Sequence, residues 1–203
     1  MDMRIMCYAI LLVFWIGLSP GIVSGAVPQL QTYEIPGELS MLLPYGWSVT
    51  NFQCWGISII NPDNPCYGIM FLSKLHQYPN LLPRGTTPEQ YVNEYFASDL
   101  KLGGKKASAV QILNSGDTEI PALNAVGSVN AKSMKVALQI ENVPVTAYLT
   151  VGTYDDIFGT AIAYLWGFYG PTESIGVDGV PMKKVFDSIR YDNDYLNECN
   201  RLS

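Results

Sequence analysis

One histidine and a charged fraction of 15% leave this 203-residue chain short of the groups from which most catalytic sites are built. The single imidazole, His76, excludes multi-histidine metal sites and makes any serine or cysteine triad depend on that one residue. It lies in LSKLHQYPNLLPRG, a proline-bracketed stretch after a strand, where a surface-loop histidine is the simpler reading. Within residues 26–203 G-x-S-x-G, the P-loop and the dinucleotide glycine pattern are all missing, which removes the enzyme classes that rest on them. No cofactor and no metal is expected. Basic clusters are equally scarce: Lys105-Lys106 and Lys183-Lys184 are the only adjacent cations, in a chain of net charge −6. Neutralising a phosphate backbone takes a clustered basic face, so nucleic acid is excluded as a partner. The paired acids Asp155-Asp156 and Asp192-x-Asp194 lack the cleft spacing of a glycosidase and the glycine and distal glutamate of a calcium loop, and read as solvated turns.

What is present begins with an address. Arg4, the apolar run from Ile5 to Leu18 and the small, helix-breaking residues that follow have the layout of a secretory signal, with cleavage after Gly25 or Ala26. An uncleaved anchor is the alternative, but Ser19-Pro20-Gly21 interrupts the run short of the roughly 20 residues a spanning helix needs. Residues 1–25 are therefore expected to be a signal peptide and 26–203 a single domain, secreted or extracytoplasmic, with no membrane span after cleavage.

Along that domain the apolar pattern is mostly strand-like. Breaks at Pro36-Gly37 and Pro44-Tyr45-Gly46 divide the first segment into short strands. Ile-rich 55–60 runs into Asn61-Pro62-Asp63-Asn64-Pro65, a turn by composition, and Tyr67 to Leu72 resumes the strand, which makes a β-hairpin. Thr87, Pro88 and Gln90 form a capping-box start to a helix whose stripe is Tyr91, Val92, Tyr95, Phe96 and Leu100, ending at Gly103-Gly104 with Lys101 near the helix C-terminus. Further strands are AVQIL, EIPALNAVGSVN, MKVALQIE and VTAYLTVG, separated by Asn-Ser-Gly-Asp, Asn-Ala-Lys-Ser and Asn-Val-Pro. FGTAIAYLWGFYG, apolar on both faces, is a central strand. A last helix has Pro181 in its first turn and Met182, Val185, Phe186 and Ile189 on one face, and the tail adds a short further helix. The expected fold class is α+β: a central antiparallel β-sheet packed with two or three helices.

Three cysteines fall in this domain. A Cys54–Cys66 bond and the regular hairpin exclude each other, because Cys54 would lie six residues beyond the partner of Cys66, on the order of 20 Å away, against a limit of about 7 Å between Cα atoms. A possible disulfide joins Cys199 to Cys54 or Cys66; the local pair and three free thiols are the alternatives. Trp47, Trp55 and Trp166 have the chemistry to line a sugar or lipid groove, although an indole on a strand is more often core. The binding candidates are Trp47, Trp55, Asn61, Asp63, Asn64 and Tyr67, around the NPDNP hairpin.

The segments MLLPYGWSV and GVPMKKVFDSIRY resemble the two ends of the PsbP-like domain family, related to the extrinsic photosystem II proteins. Pro44, Gly46 and Trp47 stand where a Pro-x-Gly-Trp strand opens the central sheet in that family, and Val185, Phe186 and Ser188 where a helix and a short Ser-containing segment close it. The resemblance implies an α/β/α-like sandwich used as an accessory or assembly surface, with no catalytic residues to carry over. The NPDNP hairpin, the cysteines and the ordinary secretory signal depart from a photosynthetic member. The sequence thus points to a binding or accessory module whose partner is a protein or a small apolar ligand at the cell envelope. The rival is a secreted hydrolase using His76 with Ser73 or a cysteine.

Overall fold

The computed structural model describes residues 29–73, 82–97, 101–102, 104–120, 129–156 and 159–202. The expected signal peptide and His76 lie outside the described residues. The chain is dominated by antiparallel sheet. Strands β1 (Leu30–Ile35), β2 (Leu39–Pro44) and β3 (Ser48–Asn51) follow one another through the turns at Pro36–Glu38 and Tyr45–Gly46, as the Pro-Gly breaks predict. A 3-10 turn at Gln53–Trp55 leads into the hairpin of β4 (Gly56–Ile60) and β5 (Gly68–Ser73), in which Ile60 pairs with Gly68 and Gly56 with Leu72. The short β6 (Leu82–Pro83) precedes α1 (Pro88–Gln90), which continues as a π-helical turn over Tyr91–Phe96. The capping box is made in full: Thr87 N–H donates to Gln90 Oε1 at 2.9 Å, and Gln90 N–H to Thr87 Oγ1 at 3.2 Å.

Past this point the sequence misleads about extent. Lys101 and Leu102 form β7 (Lys101–Leu102), paired with Lys106 and Lys105 of β8 (Lys105–Asp117). Gly104, with a φ of +78°, thus stands in a hairpin turn and not at a helix end, while Leu100 and Gly103 lie outside the described residues. Asn-Ser-Gly-Asp and Asn-Ala-Lys-Ser, both expected as breaks, are strand: the first ends β8 and the second opens β9 (Asn130–Ile140). Cross-strand pairing supplies backbone partners to residues of low β-propensity, which is how tertiary context overrides composition. The separator Asn-Val-Pro does mark a turn. Glu141 and Asn142 both have positive φ, 50° and 70°, the signature of a tight two-residue hairpin, and they join β9 to β10 (Val143–Asp155).

β11 (Thr160–Pro171) lies between β5 and β10, in the central place its two-sided hydrophobicity predicts. The last helix, α2 (Ile175–Asp187), begins six residues before Pro181, which therefore sits inside it and forgoes one backbone hydrogen bond. β12 (Arg190–Tyr191) and α3 (Asn193–Leu202) complete the chain. Asp192 caps α3, its Oδ1 accepting from Asp194 N–H at 2.8 Å and Tyr195 N–H at 3.3 Å.

Two sheets result. The smaller has the order β1-β2-β12; the larger, of nine strands, runs β3-β4-β5-β11-β10-β9-β8-β7, with β6 beside β11. One face of the large sheet meets Tyr91, Val92 and Phe96 in a buried cluster with Val136, Ala147, Leu149 and Leu165. On the other face Ile57, Ile59 and Ile69 meet Leu39, Met41 and Leu43 of β2 and Met182 and Val185 of α2. The layer on that side is as much strand as helix, so the sandwich is sheet-rich compared with the expected α/β/α form. Ser188 fastens it: its Oγ accepts from Leu42 N–H at 2.8 Å and donates to the Val185 carbonyl at 2.6 Å.

A disulfide joins Cys54 to Cys199 across a sequence separation of 145 residues. It pins α3 to the turn before β4, and the loop-closure model assigns such a span about 5 kcal/mol. Cys199→Ser is therefore expected to lower unfolding free energy by about 4 kcal/mol in urea titrations without reductant, and reductant should bring the parent to the same midpoint. An unchanged midpoint would mean that the bond contributes nothing.

Candidate functional site: an open aromatic groove

Side chains alternate across a strand, so β10 divides its residues between the two faces of the large sheet. Val145, Ala147, Leu149 and Val151 enter the cluster beneath α1. Thr146, Tyr148, Thr150 and Tyr154 point to the opposite face. On β11 the residues sharing that face are Ile162, Tyr164, Trp166 and Phe168, placed by a register that sets Tyr148 opposite Phe168 and Thr150 opposite Trp166. β9 adds Lys135 opposite Tyr148 and Ser133 opposite Thr150.

The layer of β2 and α2 packs on the β4, β5 and β11 side of this face. Beyond the edge of α2, marked by Lys183, Phe186 and Asp187, the face opens into a groove of about 390 Å³ floored by β9, β10 and β11. That volume falls within the usual range for small-molecule sites, about 300–1,000 Å³. Tyr148 and Phe168 are tilted against each other, ring centroids 5.4 Å apart. Lys135 Nζ stands 5.8 Å from the Tyr148 centroid, within the range of a cation–π contact. Farther along, Tyr154 and Tyr164 stack at 5.9 Å; burial and then a hydrogen bond with Tyr154 push the Tyr164 hydroxyl well above its ordinary pKa, so it stays neutral. Tyr148 is 37% exposed, unusual for an aromatic side chain in the interior of a nine-stranded sheet.

Gly167 makes this arrangement possible. Its φ is +157°, and a Cβ there would run into the Tyr148 carbonyl oxygen and Leu149 Cα. The strand can approach β10 this closely, with Trp166 and Phe168 on either side, because no side chain stands between them.

The residues nominated from sequence are distributed differently. Asn61, Asp63 and Asn64 lie together in the β4–β5 turn, where the side chains of both asparagines are engaged in the turn itself. Asn61 Oδ1 accepts from Asp63 N–H at 2.9 Å and Asn64 Oδ1 from Cys66 N–H at 3.1 Å. Tyr67 is half-buried, hydrogen-bonded through its hydroxyl to Ser174 Oγ, and packs with Trp47 against the β2 and α2 cluster. Trp55 lies in the 3-10 turn beside Cys54. Trp166, noted for its indole but not nominated, is in the groove; Tyr148, Phe168 and Lys135 were missed. The signal for them was the alternation of aromatics in YLWGFY facing that of VTAYLTVG.

Among the described residues Cys66 is the cysteine left outside the disulfide, and it is poorly placed to serve as the nucleophile of the rival reading. Cys66 is buried, and its Sγ points to the Ile140 carbonyl at 4.0 Å. Burial, then Glu141, push its pKa up, which depletes the thiolate at neutral pH. Ser73 ends β5, and His76 is outside the described residues. The acid pair at 155–156 serves structure: Asp155 Oδ1 accepts from Gly85 N–H at 2.8 Å and Asp156 Oδ1 from Thr160 N–H at 2.9 Å. Among the described residues no group of three or more metal-binding side chains converges, and no helix is long and apolar enough to cross a membrane.

No protein-family model matches the chain, and no curated protein does. Among solved structures it is similar to cyanobacterial PsbP (CyanoP) from Synechocystis sp. PCC 6803, with a TM-score of 0.38 and 11% identity, covering 86% of this chain and 98% of that one. It is similar also to LpqN, described as involved in cell envelope biogenesis of Mycobacterium tuberculosis, with a TM-score of 0.38, 9% identity and coverage of 81% and 91%. A protein from Bacteroides thetaiotaomicron VPI-5482 gives 0.35 and 15% over 79% of this chain, which spans about half of that protein, 48%. PsbP, whose pattern the two ends of the sequence resemble, is thus among the structures to which the chain is similar.

Two outcomes follow from this geometry. Gly167→Ala should lower stability by about 3 kcal/mol, measured by urea unfolding, because the added methyl meets backbone and not a flexible side chain. A loss below about 0.5 kcal/mol, the size of an ordinary surface change, would mean the close approach of β10 and β11 is not fixed. In the folded protein at pH 8, iodoacetamide should leave Cys66 unmodified, with peptide mapping finding the label only after denaturant is added.

Proposed function

We propose that this protein is a non-catalytic binding module, secreted or held at the cell envelope, that carries a small apolar ligand in the aromatic groove of its large sheet. The observation behind this reading is the part of a sheet face that the described elements leave open, where Tyr148, Trp166 and Phe168 line one cavity. A folded domain normally covers such a face, and an open, aromatic, concave one is the common form of a ligand site. The signal-like residues 1–25 and the Cys54–Cys199 bond support an oxidising, extracytoplasmic location. The NPDNP turn contributes structure to this reading, since its asparagines are occupied by their own backbone.

Native mass spectrometry on protein purified from its own secreted or envelope fraction tests the assignment. The parent should carry a small-molecule adduct, and Tyr148→Ser should lose it while keeping its melting temperature within a few degrees. An adduct that persists in Tyr148→Ser would place the ligand elsewhere. Parent protein that emerges bare but with a stoichiometric protein partner would replace the small ligand with a protein.

A further inference from the structure

The charges around the groove are few and uneven. Asp187 is the one carboxylate in its lining, and it is held by Lys183 at 2.5 Å. Lys135 lies across the groove on β9, and among the described residues it has no acidic partner. Its ammonium stands beside the Tyr148 ring, with Ser133, Thr150 and Asn114 near it in the lining. A protein of net charge −6 therefore presents, at this one aromatic cavity, an unpaired cation flanked by neutral hydrogen-bonding groups.

We propose that the occupant is a small amphipathic acid: one anionic group against Lys135 and an apolar body laid along Tyr148, Phe168 and Trp166. The inference rests on the groove reading of the preceding section and adds the ligand's chemistry to it. A wholly apolar ligand would take water from the Lys135 ammonium and return no counter-charge, a net cost. A cationic ligand would meet Lys135 head-on. A polyanion such as a nucleotide would find one unpaired cation and then Asp187, too little positive charge for several phosphate groups. A single anionic head with an apolar body matches each part of the lining.

A matched pair of fluorescent probes separates the two readings. 1-Anilinonaphthalene-8-sulfonate and N-phenyl-1-naphthylamine share one aromatic skeleton and differ by the sulfonate. The anionic probe is expected to bind one per chain about tenfold more tightly than the neutral one, the size of one hydrogen bond to a charged group, and to be displaced by decanoate. Lys135→Gln should reduce the anionic probe to the affinity of the neutral one and leave the neutral probe unchanged; Lys135→Arg should keep the preference. Tyr148→Ala should weaken both. Equal affinities that Lys135→Gln does not alter, with both probes still weakened by Tyr148→Ala, would overturn the acid while the groove stands. Failure of both probes to bind, or binding indifferent to Tyr148→Ala, would overturn the groove reading and the acid with it. Lys135 is exposed on its strand, so thermal unfolding of Lys135→Gln is expected to match the parent.

Discussion

A nine-stranded sheet has two faces to keep from water, and the helices among the described residues are too few to do it. α1 with its π-helical turn covers one face. The other relies on a three-stranded sheet and α2, which reach as far as β11 and stop. That shortage of cover determines most of what is distinctive here. The residues beneath the covered part are Ile57, Ile59 and Ile69, with Met182 and Val185 above them, all aliphatic or thioether. Phe168 stands at the boundary, packed against that cluster and against the Tyr148 ring; beyond it are Tyr148, Tyr154, Tyr164 and Trp166, side chains that tolerate partial exposure because each carries a polar tip or a π-face as well as area. The composition of the floor changes where the roof ends.

The pairing of β10 with β11 holds the two regimes together. It runs unbroken from Val145↔Pro171 to Asp155↔Ala161, so every residue on the open face has a fixed neighbour. A slip of one residue would turn the aromatic set into the cluster under α1 and bring Ala147 and Leu149 to the surface. Gly167 and the Asp156–Thr160 bonds at the strand end resist that slip from two positions. The groove is therefore as rigid as the sheet itself, a property it shares with largely preformed small-molecule sites.

Much of this was legible in one dimension, and the failures have a common cause. Turn chemistry located the Pro-Gly breaks, the NPDNP hairpin and the Asn142 turn, and two-sided hydrophobicity put β11 at the centre. Where polar residues were taken as breaks, at Asn114–Asp117 and Asn130–Ser133, neighbouring strands supplied the pairing that local composition did not suggest. The same limit hid the groove. Alternation tells which residues share a face, but whether Tyr148 is covered depends on how far α2 extends from a different part of the chain. Trp47 and Trp166 look alike in sequence; one lies under the roof and the other beside its edge. Asn61 and Asn64 drew attention as polar residues in a loop, and their side chains turned out to face their own backbone.

The Cys54–Cys199 bond has a consequence for the chain as a covalent object. Every described element from β4 to the end of β12 lies within the loop it closes, while β1, β2 and β3 lie outside. A protease that cuts once anywhere in that loop, at the β4–β5 turn or after β10, produces two pieces that stay tied together, each still paired to the other through the sheet. A single nick in that loop therefore leaves the domain covalently joined, with the strands that floor its groove still paired.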